Sequence, residues 1–266
     1  MALFPTMDVC PATNAPPDAE AERADGFLGG RLRLRQTPRG HRAGTDAVLL
    51  AAATPADAEG TILDVGAGVG AVGLGAALRA PAAQIGLVEI DAAACSLARA
   101  NVAANAFEAR VAVFEADLLS PPARRAAGLA DEAADLLLTN PPYLSADRAR
   151  VSPDPDRARA HVSENGLAPW TRACLALLRP GGVFVMIHRA DALQECLTSL
   201  GAKLGGVAIL PVAARAGGPA TRILLRGVKG SKAPLTLLPQ FALHEEDGRF
   251  TAEAQAIHRG EAGLPW

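Results

Sequence analysis

Apolar positions along this chain fall into short runs separated by alanine-rich stretches with helical spacing. Thr61–Val65, Gln84–Glu89, Val111–Glu115, Asp135–Thr139 and Val183–Ile187 have the near-continuous apolar character of strands buried on both faces. Between them, Ala71–Arg79 follows a glycine cluster and Asp91–Asn105 is a long alanine-rich segment; both read as helices. A third helix carries Pro169 near its first turn and Trp170, Cys174, Leu177 and Leu178 on one stripe, and stops at Arg179-Pro180-Gly181-Gly182. A fourth covers Ala190–Leu200 and ends at Gly201. Val207–Val212 and Arg222–Val228 follow as strands with only a short glycine-rich loop between them, which requires an antiparallel pair. The pattern predicts an α/β fold: a doubly wound, Rossmann-like, seven-stranded and mostly parallel sheet with an antiparallel final strand. Pro16-Pro17 and Pro121-Pro122 read as plain loops.

Residues 1–25 are rich in Pro, Ala, Asp and Glu without periodicity and read as a flexible tail. Residues 26–230 form the expected main domain, opening with a basic hairpin, and 231–266 a C-terminal extension packed on it. With half of its 266 residues apolar, the chain can bury one full core. Cys10, Cys95, Cys174 and Cys196 form no Cys-x-x-Cys pair, so neither a zinc site nor a disulfide framework is expected, and a reducing cytoplasm fits. His161, His188, His244 and His258 have no metal-like spacing, and no metal is expected. No apolar run is long enough to span a membrane, and the N-terminus lacks the basic start and apolar core of a secretory signal.

The net charge of −2 says little about nucleic acid, because local patches matter more than totals. Arg31, Arg33 and Arg35 alternate with Leu32 and Leu34, so on a strand they share one face, and Arg39, His41 and Arg42 follow. This group can track a phosphate backbone; a charge-protected edge strand explains it equally well.

The chemistry concentrates at strand ends. Asn140-Pro141-Pro142-Tyr143 closes the fourth apolar run, and its prolines stop the strand and leave carbonyls without neighbouring N–H groups. The rim so formed offers an amide, a free carbonyl and an aromatic face, which suits a flat group bearing an NH2, such as adenine. Asp64-Val65-Gly66-Ala67-Gly68-Val69-Gly70 lies between the first strand and first helix, where open α/β sheets bind ligands. Gly68-x-Gly70-x-x-Gly73 and Glu89 also satisfy a dinucleotide fingerprint. A carboxylate at Asp64, however, would repel a pyrophosphate and suit the ammonium of S-adenosylmethionine. Glu89 would then accept both ribose hydroxyls, and Asp117 the adenine amino group.

These motifs resemble the class I S-adenosylmethionine-dependent methyltransferases of the N6-adenine or small-domain type. The segment Arg42-Ala43-Gly44-Thr45-Asp46-Ala47-Val48-Leu49-Leu50 is similar, more narrowly, to the bacterial tRNA adenine-N6 methyltransferases that modify the adenine beside the anticodon of a valine tRNA. Pro211–Leu235 is similar to the C-terminal half of related bacterial sequences. The resemblance implies methyl transfer to an exocyclic adenine nitrogen held by Asn140, Pro141, Pro142 and Tyr143, with S-adenosylhomocysteine as product. It implies cofactor contacts at Gly44, Thr45, Asp64, Gly66, Ala67, Gly68, Glu89, Ile90, Asp117, Leu118 and Asn140. Transfer RNA would be the partner, met by Arg31, Arg33, Arg35, Arg39 and Arg42, in the cytoplasm. Other classes stay open: an N-methyltransferase of a protein glutamine or small amine, a dinucleotide oxidoreductase, or a non-catalytic RNA-binding module.

Overall fold

A computed structural model describes residues 24–36, 43–142 and 166–266. A hairpin of β1 (Asp25–Phe27) and β2 (Leu32–Leu34) comes first, followed by α1 (Thr45–Ala52). The alternating core is β3 (Thr61–Val65), α2 (Ala71–Arg79), β4 (Gln84–Glu89), α3 (Ala92–Ala104), β5 (Val111–Glu115), α4 (Pro121–Ala126) and β6 (Ala134–Thr139). After α5 (Leu167–Leu177) come β7 (Leu178–Arg189), α6 (Leu193–Leu200), β8 (Leu204–Arg215) and β9 (Ala220–Lys229). The extension contributes β10 (Thr236–Leu237), β11 (Phe241–His244) and α7 (Ala252–His258).

The sheet order is β10-β8-β9-β7-β6-β3-β4-β5, with β11 also on β8. The antiparallel member is β9, which runs against both β7 and β8. The sheet has nine strands where seven were expected. The two extra strands come from the extension, which lies along the outer edge of β8 and pairs with it in parallel. An unpaired edge leaves backbone groups open to another chain, and this covering removes that exposure over part of β8. Pro239, which has no N–H to give, falls between the two short strands.

Three local expectations need correction. Pro121 and Pro122 do not sit in a loop; they open α4, where a missing N–H costs nothing, and Ser120 caps the helix by accepting from Ala123 N at 3.3 Å. Arg179-Pro180-Gly181-Gly182 is a bulged start to β7 and not a break before it, since Leu178 already pairs with Ala134 before the register shifts to Val183 opposite Leu136. The segment after β7 starts as a 3₁₀ turn, Ala190–Ala192, and becomes α-helical only at Leu193.

Side chains from opposite faces of the sheet feed two cores. One joins the hairpin, α1, α2, α3 and the extension, through Leu32, Leu34, Leu49, Leu74, Ile85, Phe241 and Ile257. The other joins α5 and α6 to the far face, through Leu63, Val65, Trp170, Cys174, Phe184 and Cys196. Period-two alternation decides the side, so Leu63 and Val65 belong to the second core and Ile62 to the first.

The hairpin is docked by two asparagines on α3. Asn105 Oδ1 accepts from Arg33 N at 2.9 Å and its Nδ2 donates to Arg33 O at 2.8 Å. Asn101 Oδ1 accepts from Arg35 N at 2.7 Å, and its Nδ2 donates to Arg35 O at 3.0 Å and to Val69 O at 2.9 Å. Two residues of strand advance about 6.8 Å and four residues of helix, just over one turn, about 6 Å, so asparagines spaced in this way can imitate a partner strand. Elsewhere Arg31 Nη1 donates to Gly260 O at 2.7 Å, and Arg79 Nη1 donates to Ala262 O at 2.7 Å, tying the extension to the hairpin and α2.

Asn101 is fully buried, so Asn101→Ala strands three backbone groups and should cost about 2–4 kcal/mol. Urea denaturation should show the loss, and hydrogen exchange should show faster exchange at the Arg35 amide.

Candidate functional site

Val65 pairs with Val88 on one side and with Thr139 on the other, and Thr139 pairs with Met186. The residues that follow, Gly66, Glu89 and Asn140, therefore leave the sheet together at its carboxyl edge. Adjacent strands lie about 4.8 Å apart, so the glycine loop and the Asn-Pro-Pro corner are immediate neighbours. The glycine loop requires its glycines: Gly66, Gly68 and Gly70 have φ of 75°, 54° and 87°. Gly66 N and Ala67 N both donate to Val88 O, at 2.9 and 3.0 Å, which folds the loop back over β4. A Cβ on Gly68 would meet nothing within 4 Å, so the loop borders open space.

Glu89 is held by the backbone around it. Its Oε2 accepts from Gly68 N at 2.8 Å, and its Oε1 accepts from Ile90 N at 2.8 Å and Asp91 N at 3.0 Å. These bonds orient the carboxylate and leave one lone pair, on Oε2, for a ribose hydroxyl. Ile90, beside it, is 45% exposed, unusual for its type. Asp117 Oδ1 accepts from Leu119 N at 2.8 Å, an Asx-type turn that leaves Oδ2 available, and Leu118 is buried behind it. Asp64 is not at the loop mouth. Strand alternation turns it towards α2, where it is 2% exposed and its Oδ2 accepts from Gly73 N at 2.8 Å.

At the corner, Asn140 Oδ1 is shielded from solvent and has no hydrogen-bond partner among the described residues. A buried acceptor left unpaired costs about 1–3 kcal/mol, so this atom is set for a donor. Pro141 is buried and Pro142 partly exposed; Tyr143 lies outside the described residues. Gly44 caps α1 in an extended conformation, with Thr45 as the first helical residue. Arg222 Nε donates to Asp46 Oδ1 and Oδ2, at 3.1 and 2.9 Å, and so clamps the first turn of α1 to β9. Asp46 stood in a recognisable motif, but nothing in the sequence named its partner 176 positions away.

Of the five arginines expected to meet RNA, Arg33 and Arg35 are exposed, with only their backbones held by α3. Arg31 is also exposed but spends a guanidinium N–H on Gly260 O. Arg39 and Arg42 lie outside the described residues. No group of three or more metal-ligating side chains occurs among the described residues, and no described helix is long and apolar enough to cross a membrane.

Residues 42–153 match the methyltransferase small domain family. A tRNA1(Val) (adenine(37)-N6)-methyltransferase from Aeromonas hydrophila is 32% identical over 86% of this chain and 93% of its own length. The protein of the same name from Porphyromonas gingivalis is 35% identical over 64% of this chain and 68% of its own length. The chain belongs to the tRNA1(Val) (adenine(37)-N6)-methyltransferase family. A solved structure, described as a predicted O-methyltransferase from Agrobacterium tumefaciens, superposes with a TM-score of 0.70 at 32% identity, covering 82% of this chain and 98% of that one. The protein is therefore a methyltransferase with a class I fold.

In this methyltransferase the electrostatics beneath the glycine loop are unusual. Burial pushes the Asp64 carboxyl from its ordinary 3.8 up to about 7; the Gly73 N–H bond opposes that rise and the negative charge of Glu89 adds to it. The folded protein thus holds Asp64 protonated at pH values where the unfolded chain has released the proton. Its effect on stability is nil below about pH 4, grows unfavourable as pH rises to about 7, and is constant above that. Asp64→Asn should therefore stabilise the protein more at pH 8 than at pH 4. Denaturation of both proteins at the two pH values checks this, and an equal difference at both would refute the raised pKa.

Proposed function

We propose that this methyltransferase uses S-adenosylmethionine to methylate the exocyclic N6 of an adenine in the anticodon loop of a valine-type tRNA. The unpaired, solvent-shielded Asn140 Oδ1 beside the glycine loop carries the reading. The relatives from Aeromonas hydrophila and Porphyromonas gingivalis are named for adenine 37 of tRNA1(Val), which supports the choice of substrate.

An exocyclic adenine nitrogen is a weak nucleophile because its lone pair is delocalised into the ring. Asn140 Oδ1 and the Pro141 carbonyl accept its two N–H groups, which favours a pyramidal nitrogen and stabilises the positive charge that develops there. By the motif's resemblance Tyr143 would stack on the base, and an anticodon loop lowers the cost of unstacking it. When bound, S-adenosylmethionine would supply an electrophilic methyl group: the N6–C bond forms as the C–S bond breaks, S-adenosylhomocysteine is left, and one N6 proton is lost to water. The chain's residues fit that cofactor: the open space at Gly68, the remaining Oε2 lone pair of the pre-oriented Glu89 for a ribose hydroxyl, and Asp117 Oδ2, without a partner among the described residues, for an adenine amino group. Asp64, buried beneath the loop, meets the ammonium through water, while Gly44 and Thr45 close over that end. Ile90 lies against the adenine face. Arg33 and Arg35 contact the RNA backbone.

Asn140→Ala should lower kcat by about 10²–10³, the cost of losing one preorganised hydrogen-bond partner of the charge that develops, while the Kd for S-adenosylhomocysteine stays within a few-fold of wild type. Labelled-methyl assays with total tRNA, followed by mapping of the modified nucleotide, test both substrate and role; methyl incorporation only into protein would overturn the tRNA reading. Replacing Arg33 and Arg35 with alanine should reduce the slope of log Kd for tRNA against log salt by about 1.4–1.8. An unchanged slope would make that strand a protected edge.

A further inference from the structure

Thr139 is the last residue of β6, directly before Asn140, and it is fully buried. Its hydroxyl takes part in two hydrogen bonds whose directions are forced. An indole N–H can only donate, so Trp170 Nε1 donates to Thr139 Oγ1 at 3.0 Å. A carbonyl can only accept, so Thr139 Oγ1 donates to Val65 O at 2.9 Å. Val65 in turn directly precedes Gly66. A single relay therefore runs from α5 to the final residue before the Asn-Pro-Pro corner and on to the final residue before the glycine loop.

The indole also takes up space that the loop would otherwise need. A Cβ on Gly66 would stand 3.1 Å from Trp170 Cζ2 and 3.2 Å from its Cη2, tighter than most real contacts. The ring thus packs against the glycine loop while its N–H holds the corner. Trp170 is itself buried, at 8% exposure, within the second core. We propose that Trp170, acting through Thr139, is a positioning residue that sets the separation between Asn140 and the glycine loop, and hence between the acceptor amide and the cofactor. This inference rests on the methyl-transfer role of Asn140 given above. The reason to expect an effect on rate is geometric: a misplacement of about 1 Å can cost about a hundredfold in a reaction that depends on alignment.

The test uses the full chain with Trp266→Phe, so that Trp170 is the one tryptophan left. In that background Thr139→Val removes the hydroxyl and nearly keeps the shape, and Thr139→Ser restores it. Trp170→Phe, made separately, keeps an aromatic ring and removes the donor. Thr139→Val and Trp170→Phe should each lower kcat about 10–100-fold at saturating cofactor and tRNA, with the Kd for S-adenosylhomocysteine within threefold of the parent. Thr139→Ser should recover most of the turnover, and the double variant should be no worse than either single one, because both break the same relay. Trp170 emission should respond to S-adenosylhomocysteine in the parent and in Thr139→Ser, and respond less in Thr139→Val. If the variants lose thermal stability but keep kcat well below their melting temperature, the relay is structural only and the proposal is overturned. If the parent methylates no tRNA, the substrate reading has failed, and the emission readout still decides: a response independent of the Thr139 side chain overturns the relay, and a response that requires the hydroxyl supports it.

Discussion

Val65, Val88 and Thr139 share one rung of the parallel sheet because β3 pairs in parallel with both β4 and β6. That shared rung makes the site possible. Three chain segments leave the same edge at the same height, so a glycine loop, a carboxylate and an amide converge without any long loop reaching across. A slip of one residue in any pair would turn every side chain of that strand to the opposite face. The apolar residues on both faces, such as Leu137 and Leu138 in β6, oppose such a slip because each is fully buried. Burial far from this edge thus protects the alignment of the groups at the candidate site.

The edge so formed spends its polar groups in two different ways. Glu89 has backbone donors on both oxygens and is already oriented, a preorganised charge that need not rearrange when a ligand arrives. Asn140 Oδ1 is left without a donor among the described residues. Asp64 stands between these extremes, satisfied by Gly73 but so deeply buried that its proton is retained to about pH 7.

Much of this could be read from the chain because it depends on local rules. The strand runs, the left-handed glycines and the proline stop after Asn140 each leave a signature within a few residues. What escaped notice depends on distant partners or on context. Pro121 and Pro122 open a helix, and only the cap at Ser120 separates that from a loop. The two additional strands in the extension are too short for alternation to show, and they form because β8 offers an edge. Asp64 was visible as an acid of the loop, but its inward direction follows from which face of β3 meets α2. Trp170 read as one member of an apolar stripe, and its bond to Thr139 spans 31 residues that no periodicity links. Arg31 matched its neighbours in pattern, yet it differs from them in having a carbonyl to hold.

That carbonyl, Gly260 O, lies 229 residues further along the chain. A ribosome adds about 5–20 residues per second, so on the order of 10–45 s separate the synthesis of the two ends of this bond. During that interval the hairpin can rest against α3 through Asn101 and Asn105, which are made much earlier, but it lacks its final tether. The turn after the last helix therefore acts as a latch in time as well as in space: the hairpin gains this tether only after every strand end at the candidate site has been synthesised.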